Sequence, residues 1–429
     1  MPSITSQYLD RYRRLTAEDG ADALLPVTGA QRRFVLVRAL DPSGRPDLVP
    51  MFFAFPYGTV DLARLRAAAR RLAARHTALR SRPTVVRGAP VLRVGDPDVP
   101  VTRPAAAPGE RPADTLRRAL TSWDPQGPPL RLFLVRDDAA RTEDVLAVVL
   151  DHAVCDGRSL ARIVEELGAA YAEDVTDGAA DAEETAAELA AYRHAVLGQL
   201  AAEERADTSD AAAYWAHRLR AVRTRAPSPR PDRTPAGALP TGAAEARLPA
   251  HQDGVPFPAL LDACRSAARA LHGPGHTVPL GYPWGGRPAD AEPVVGCFLN
   301  TVVFPADTGR ERPDPEATAD AWWDDLDRAD TPFDAVVTAV RATGSGWTGG
   351  LDGLLTVDDD SRRPVLGLAG VEGREVHVDG RAVRAPFAVS VTQGADIRLR
   401  MVWDRAVHDD DTAHHAFDAL TRALHPHRP

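Results

Sequence analysis

Residues 145–171 read VLAVVLDHAVCDGRSLARIVEELGAAY, a polar turn set between an apolar run and an amphipathic segment. Residues 145–150 have the length and β-branched content of a buried strand. Residues 160–171 carry apolar side chains at helical spacing. A strand, a turn and a helix in this order are typical of an α/β lobe, in which functional side chains gather where a strand ends.

The polar turn contains two ionisable residues, His152 and Asp156, and the latter is followed by Gly157. An imidazole that is neutral near pH 7 and lies close to a helix N-terminus suits a general base. We expect Gly157 to adopt a backbone conformation closed to other residues and so to aim the imidazole into a cleft. The same string also arises by chance, and Asp156 can simply cap the following helix. The turn alone therefore leaves a catalytic and a structural interpretation open.

The alternation of strand and helix patterns extends along the chain and predicts two α/β lobes. We expect an N-terminal lobe over residues 1–180, a helical connection rich in Ala and Glu over residues 181–208, and a C-terminal lobe over residues 209–429. Helices are predicted over residues 61–75 and 257–271. Strands are predicted over residues 33–37, 51–55, 90–94, 130–135, 145–150, 276–281, 295–303, 387–392 and 397–403.

Composition excludes several classes of protein. The net charge of −9 provides no global positive field for nucleic acid, and all 51 basic residues are Arg, which removes lysine Schiff-base chemistry and the phosphate-binding lysine of a P-loop. The apolar runs are far shorter than the roughly 18 residues of a membrane span. The first residues lack a secretory pattern, and three cysteines make no disulfide framework. We therefore expect a cytoplasmic globular protein without nucleic-acid or membrane partners.

Six further stretches accompany the turn. They read VTGAQRR at 27–33, ARHTALR at 74–80, SWDPQGPPLR at 122–131, YWAHRL at 214–219, GYPWGGR at 281–287 and VGCFLNT at 295–301. In wording and order they resemble the motifs of the condensation domains of nonribosomal peptide synthetases, whose own turn reads His-His-x-x-x-Asp-Gly. These domains belong to the wider CoA-dependent acyltransferase superfamily. Because the resemblance covers nearly the whole chain, chance no longer explains the turn.

The resemblance implies an α/β fold of two chloramphenicol-acetyltransferase-like lobes in a V, with the turn at the centre of a tunnel between them. It implies transfer of an acyl group from a phosphopantetheine thioester on an acyl or peptidyl carrier protein to a small-molecule or carrier-bound amine or hydroxyl. His152 would be catalytic and accept the proton of the nucleophile. Asp156 would pair with Arg287 and, with Gly157 and Asp151, support the loop.

The resemblance implies no metal and no tightly bound cofactor, because the thioester of a carrier protein or of CoA is a cosubstrate. Since the sequence contains no adenylation or carrier domain, we expect a free-standing enzyme and a monomer.

The turn departs from the family at one position, because the first His of the pair is Asp151 here. We expect Asp151 to tune the loop, so that Asp151→His retains or improves activity. Asp151, Asp156 and Ser159 also fit the spacing of heterocyclisation domains, which leaves that alternative open. An acyltransferase that uses soluble acyl-CoA and a non-catalytic relative that recruits partner enzymes are further alternatives. Cys155 is interpreted as packing, since that position is variable in the family.

Several motif residues have a functional and a structural interpretation. Ser159, Trp284 and Asn300 are candidate contacts to the tunnel or the substrate. Asn300 can instead satisfy backbone groups at a strand end, and Thr28 with Gln31 has the spacing of a capping box.

Overall fold

The computed structural model describes residues 3–19, 24–41, 47–138, 140–173, 182–224, 238–249, 254–287, 294–310, 314–363 and 365–424. The chain forms two compact units. The first unit comprises Met1–Glu204, Arg287–Leu299 and Pro364–Val378. The second unit comprises Arg205–Gly286, Asn300–Arg363 and Asp379–Pro429.

The first unit contains a five-stranded sheet and two smaller ones. The strands are β1 (Leu24–Leu25), β2 (Leu48–Pro56), β3 (Ser81–Val86), β4 (Ala89–Val94), β5 (Val101–Thr102), β6 (Leu130–Arg136), β7 (Glu143–Asp151), β12 (Gly367–Leu368), β13 (Val371–Glu372) and β14 (Arg374–Glu375). The larger sheet has the order β14-β2-β7-β6-β5, with β7 antiparallel to both neighbours. Leu146 to Leu150 on β7 are fully buried, as a central strand requires.

Helices of this unit pack with its strands into shared apolar clusters. They are α1 (Ile4–Asp19), α2 (Gly29–Leu40), α3 (Leu62–Arg75), α4 (Thr77–Arg80), α5 (Pro112–Thr121), α6 (Gly157–Ala172) and α7 (Ala182–Ala206). The side chain of Asp61 accepts a hydrogen bond from the backbone N–H of Arg64 and caps α3. Leu65, Ala69 and Leu72 form the buried face of α3, which packs against α6. The helix that follows the polar turn is therefore anchored in the core.

The second unit contains a six-stranded mixed sheet. Its strands are β8 (Thr241–Pro249), β9 (Thr277–Trp284), β10 (Asn300–Asp307), β11 (Gly353–Asp359), β15 (Phe387–Gln393) and β16 (Asp396–Asp404), in the order β10-β9-β11-β15-β16-β8. β11 is parallel to β9 and β15, and the other pairs are antiparallel. The helices are α8 (Ser209–Arg218), α9 (Phe257–His272), α10 (Pro315–Leu326), α11 (Phe333–Ala342) and α12 (Asp410–Leu424). Trp215, Trp347 and Trp403 lie in its core.

The mixed α/β fold is confirmed, and two predicted strands are wrong in whole or in part. Residues 33–37 lie within helix α2, because a capping box between Thr28 and Gln31 starts a helix there despite the β-branched pattern. The strand predicted over residues 295–303 begins only at Asn300. Residues 294–299 instead bond to side chains of the polar turn and its helix.

The two units also differ from the division expected from the sequence. Residues 287–299 and 364–378 fall in the range assigned to the C-terminal lobe, yet they belong to the first unit. They return there because Arg287 bonds to Asp156 and because β14 pairs with β2. A single boundary along the chain cannot describe a unit that is built from three separate segments of the sequence. The expected helical connection contains α7.

Candidate functional site

The polar turn begins where β7 ends at Asp151 and continues as a 3-10 helix over His152–Val154. The backbone N–H of His152 donates to the carbonyl of Asp47 at 2.9 Å. Its imidazole stacks on the ring of Phe34 from α2, with centroids 4.6 Å apart and planes at 20°. His152 is half-buried, whereas residues 151 and 153–156 are buried. The turn thus presents one partly exposed imidazole from a fixed backbone.

Asp156 holds the far end of the turn. Its Oδ1 accepts hydrogen bonds from the backbone N–H and the hydroxyl of Ser159. Asp156 is thereby the N-cap of α6. Arg287 Nη2 lies 2.7 Å from Oδ1 and 2.5 Å from Oδ2, and the backbone N–H of Phe298 donates to Oδ2 at 3.2 Å. The structure therefore brings Asp156 and Arg287 together, through one guanidinium nitrogen rather than through a two-nitrogen fork.

Ser159 ties α6 to the segment 294–299. Its Oγ accepts a hydrogen bond from the backbone N–H of Gly296 at 3.0 Å and lies 2.9 Å from the carbonyl of the same residue. Arg287 Nη2 lies 3.1 Å from this oxygen. Ser159 is only 2% exposed. The hydrogen bonds of Ser159 therefore connect α6 to residues 294–299 inside the protein. Contact of Ser159 with a substrate stays a prediction.

Arg287 also organises its own segment. Its Nη1 donates to the carbonyl of Val294 at 2.5 Å, and its guanidinium lies 4.7 Å from the ring centroid of Phe298. This cation–π contact adds to the ion pair with Asp156. The side chains of Arg287 and Asp156 are 4% and 9% exposed. A charge pair this well buried suits structural support of the turn better than reaction with a substrate.

Asp151 holds the near end of the turn with a partner that the sequence analysis missed. Its Oδ1 accepts a hydrogen bond from the backbone N–H of Ala153, and Arg38 Nη2 from α2 lies 2.6 Å from its Oδ2. Burial raises the pKa of the Asp151 carboxyl, whereas Arg38 and the Ala153 N–H act in the opposite direction. Nothing in the sequence singled out Arg38 among 51 basic residues.

Two neighbours in the turn have clear structural outcomes. Gly157 is the first residue of α6 and is not among the residues with positive φ, so the expected special backbone conformation is wrong. A Cβ placed on Gly157 would meet nothing within 4 Å, which leaves open space beside the helix start. Cys155 is fully buried in the core of the first unit, in agreement with its interpretation as packing.

Trp284 and Asn300 lie in the second unit. The indole N–H of Trp284 donates to Asp330 Oδ1 at 3.0 Å. Asn300 Nδ2 donates to the carbonyls of Ala329 and Thr331, both at 2.7 Å, so the amide satisfies backbone groups as its structural interpretation predicts. Their contact with a tunnel or a substrate stays a prediction.

The described ranges contain neither a cluster of metal-ligating side chains nor a membrane-spanning helix. No group of three or more His, Cys, Asp or Glu side chains there is arranged to hold a metal ion. No helix in this part of the chain is long and apolar enough to cross a membrane.

No protein-family model matches the chain. Among curated proteins, it is 30% identical over 304 residues to the probable non-canonical nonribosomal peptide synthetase CymA of Salinispora arenicola, across 66% of this chain and 4% of that protein. It is 27% identical over 416 residues to the isonitrile lipopeptide synthase of Mycobacterium tuberculosis, across 90% of this chain and 16% of that protein. The chain therefore spans only a small part of these relatives.

Solved structures show the fold. The X-domain from teicoplanin biosynthesis matches with a TM-score of 0.68 at 20% identity, covering 93% of this chain and 94% of that one. The same domain in complex with OxyB matches with a TM-score of 0.67 at 19% identity, covering 93% and 92%. The first condensation domain of the CDA synthetase matches with a TM-score of 0.66 at 18% identity, covering 94% and 95%. These likenesses confirm the α/β fold that the resemblance of the motifs implies.

Proposed function

We propose that this chain, which has the fold of nonribosomal peptide synthetase condensation domains, is a condensation enzyme that transfers an acyl group from a phosphopantetheine thioester to an amine or hydroxyl. The product is an amide or an ester. The observation that carries the proposal is the half-buried imidazole of His152, presented by a turn that is held at both ends. The sequence relatives are named as synthetases, which agrees with a place in peptide assembly.

His152 would handle the one proton that the reaction has to move. The nucleophile attacks the thioester carbonyl carbon, and the imidazole accepts its proton as the new C–N or C–O bond forms. The C–S bond then breaks, and the imidazolium returns the proton to the departing thiolate. Because a thioester is already activated, orientation of the two reactants supplies most of the remaining catalysis. Neither a metal nor a covalent enzyme intermediate is needed for this sequence of steps.

Asp156 and Arg287 would support this reaction without entering it. Their charges are directed at each other and at the backbone of the turn and of residues 294–299. The donor would arrive on an acyl or peptidyl carrier protein as a separate partner, and CoA is the alternative carrier of the same thioester. A competition assay between acyl-CoA and the matching acyl carrier protein distinguishes the two sources.

A second candidate function is an interaction module. It is favoured by one finding, the structural neighbour that was solved in complex with OxyB. The two candidates differ in their demand on His152, because only an enzyme requires the imidazole for turnover.

The test of the proposal is turnover of a synthetic pantetheine thioester with an amine or hydroxyl acceptor, followed by intact mass of the product. His152→Ala should lower kcat by roughly 10²-fold to 10⁴-fold while the thermal unfolding temperature stays close to that of the wild type. His415→Ala is a matched control, because this histidine is exposed on α12. Turnover in His152→Ala near the wild-type rate would contradict the catalytic assignment and favour the interaction module.

Product mass also separates condensation from heterocyclisation. Loss of one water relative to the free acid and the nucleophile indicates simple condensation. Loss of two waters, with activity that survives in His152→Ala and disappears in Asp151→Ala, would place the chain with the heterocyclisation domains instead.

A further inference from the structure

One face of α2 contacts three consecutive residues of the polar turn. Gln31 Nε2 donates to the carbonyl of Ala153 at 2.7 Å, the ring of Phe34 stacks on His152, and Arg38 pairs with Asp151. Positions 31, 34 and 38 are three and four residues apart, which places them on the same side of a helix. The imidazole and the residues on both sides of it therefore rest on a single helix.

We propose that Arg38 is a positioning residue for His152 and that Arg38 and Asp151 act as one unit, so that neither can be exchanged alone. The kinetic part of this proposal rests on the proposed function. Its structural part rests only on the contacts between α2 and the turn.

Burial makes the pair sensitive to the loss of either partner. The side chains of Arg38 and Asp151 are 12% and 2% exposed, and their nearest atoms are 2.6 Å apart. Removing one member of a buried pair leaves the other charge without compensation, which is far more costly than loss of an exposed pair. Among the residues that the structure describes, Asp47 and Arg131 are further charged groups near the Asp151 carboxylate. Arg38 pairs with it directly, at 2.6 Å.

The pair is coupled to the imidazole through the backbone. Asp151 Oδ1 holds the N–H of Ala153, and Gln31 holds the carbonyl of the same residue. If Arg38 no longer anchors the carboxylate, the Asp151 side chain can turn away and release this N–H. His152 then loses the fixed backbone that keeps its ring against Phe34.

This pairing reverses the expectation drawn from the sequence for Asp151→His. With Arg38 in place, a histidine at position 151 sets an imidazole beside a buried guanidinium and removes its only bonded carboxylate among the described residues. Activity should therefore fall. When Arg38→Met is added to Asp151→His, the uncompensated guanidinium charge is removed. Neutral side chains can then hold the turn.

The experiment compares full-length variants by kinetics and by the ¹³Cε1 resonance of His152, assigned by its absence in His152→Gln. Arg38→Met should lower kcat about tenfold or more, change KM less than about threefold, and move or broaden the His152 resonance. Arg38→Lys should recover part of kcat relative to Arg38→Met, because lysine keeps a positive charge beside the Asp151 carboxylate. Asp151→His should lower kcat. The double variant Arg38→Met with Asp151→His should have a higher kcat than Asp151→His alone.

Controls separate positioning from folding. Arg13→Met removes an exposed ion pair to Asp10 in the same unit and should leave kcat and the His152 resonance unchanged. If Arg38→Met does not fold, Asp151→Asn provides the same test, because it keeps the size and the bond to Ala153 but removes the charge.

Three results overturn the proposal: a wild-type kcat with an unmoved His152 resonance in Arg38→Met, an Asp151→His variant as active as the wild type, or a double variant no better than Asp151→His. Failure of the proposed function looks different, because the wild type would then turn over no thioester. In that case the resonance alone decides whether Arg38 positions His152.

Discussion

Each unit buries an Arg–Asp pair that includes a motif residue, yet the two pairs are built differently. In the first unit, one nitrogen of Arg287 lies between both carboxylate oxygens of Asp156. In the second unit, Nε and Nη2 of Arg218 each donate to a separate oxygen of Asp325 at 2.9 Å, and the hydroxyl of Tyr214 donates at 2.7 Å. Only the second pair has the two-nitrogen fork that arginine favours.

The surroundings of the two pairs explain the difference. Asp325 is fully buried, and its pair joins α8 to α10. Asp156 also accepts hydrogen bonds from the backbone N–H groups of Ser159, in the first turn of α6, and of Phe298, so Arg287 is one of several groups that share its carboxylate. The same two residue types serve packing in the second unit and, under the proposed function, the placement of His152 in the first.

The largest effect should follow from breaking the first pair. Arg287→Met should lower turnover by about 10²-fold or more, because a misplaced turn displaces His152 from its attacking geometry. In a double-mutant cycle with Asp156→Asn, the coupling energy from unfolding should be well above the roughly 0.5 kcal/mol of independent sites. Additive effects on both turnover and unfolding would remove Asp156 and Arg287 from the support of the site.

Breaking the second pair should affect stability instead. Arg218→Met should lower the free energy of unfolding by about 3–5 kcal/mol, because Asp325 is left buried without its partner. Turnover per folded molecule, measured below the unfolding transition, should stay within about twofold of the wild type. A large loss of kcat in the folded variant would show that Arg218 and Asp325 also affect function. The two pairs would then not differ in role.

Acid should lessen the destabilisation caused by Arg218→Met. Burial raises the pKa of the Asp325 carboxyl even while Arg218 is present to oppose it, so removal of Arg218 raises that pKa further. A carboxyl with a raised folded-state pKa contributes stability below its unfolded pKa and loses it as the pH rises through the folded value. Denaturant unfolding should therefore show a larger difference between the variant and the wild type at pH 8 than at pH 5.

Lysine exchanges should sharpen the contrast in geometry. Arg287→Lys keeps one charged nitrogen for Asp156 and should retain more of its function than Arg287→Met. Arg218→Lys cannot reproduce the fork and should cost about 2 kcal/mol of stability. Unfolding and turnover, measured for both lysine variants, test these expectations. An Arg218→Lys variant as stable as the wild type would show that the two-nitrogen fork adds no stability.

The smallest effect should come from Gly157→Ala. The glycine has no positive φ and its missing Cβ faces open space, so alanine should leave the unfolding free energy unchanged or raise it by up to about 1 kcal/mol. Thermal unfolding tests this directly. A destabilised Gly157→Ala variant would mean that the turn holds strain.

The sequence predicted those parts of the molecule in which local pattern and tertiary contacts agree. The apolar run that became β7 and the Asp61-capped helix α3 are examples. Asp156 and Arg287 were paired only through the family motifs, because 131 positions separate them and no local pattern connects them.

The remaining features depend on competition between local signals or on contacts between segments that are distant in the sequence. Residues 33–37 have a strand-like composition, but the capping box at Thr28 and contacts of the same helix with the polar turn favour a helix. Residues 294–299 lose their predicted strand to bonds with Ser159 and Asp156. Arg38 was missed because nothing in the sequence distinguishes it from other arginines until the turn is folded against it.

The two late segments of the first unit impose an order on synthesis. When a ribosome has made residues 1–204, the carboxylate of Asp156 is in place but Arg287 has not been translated. The edge of β2 likewise waits for residues 374–375. A nascent chain must therefore carry the Asp156 carboxylate without Arg287 until the first segment of the second unit is made, and an open strand edge until most of that unit is made. Chaperone binding to this intermediate would protect the chain until its own later residues arrive.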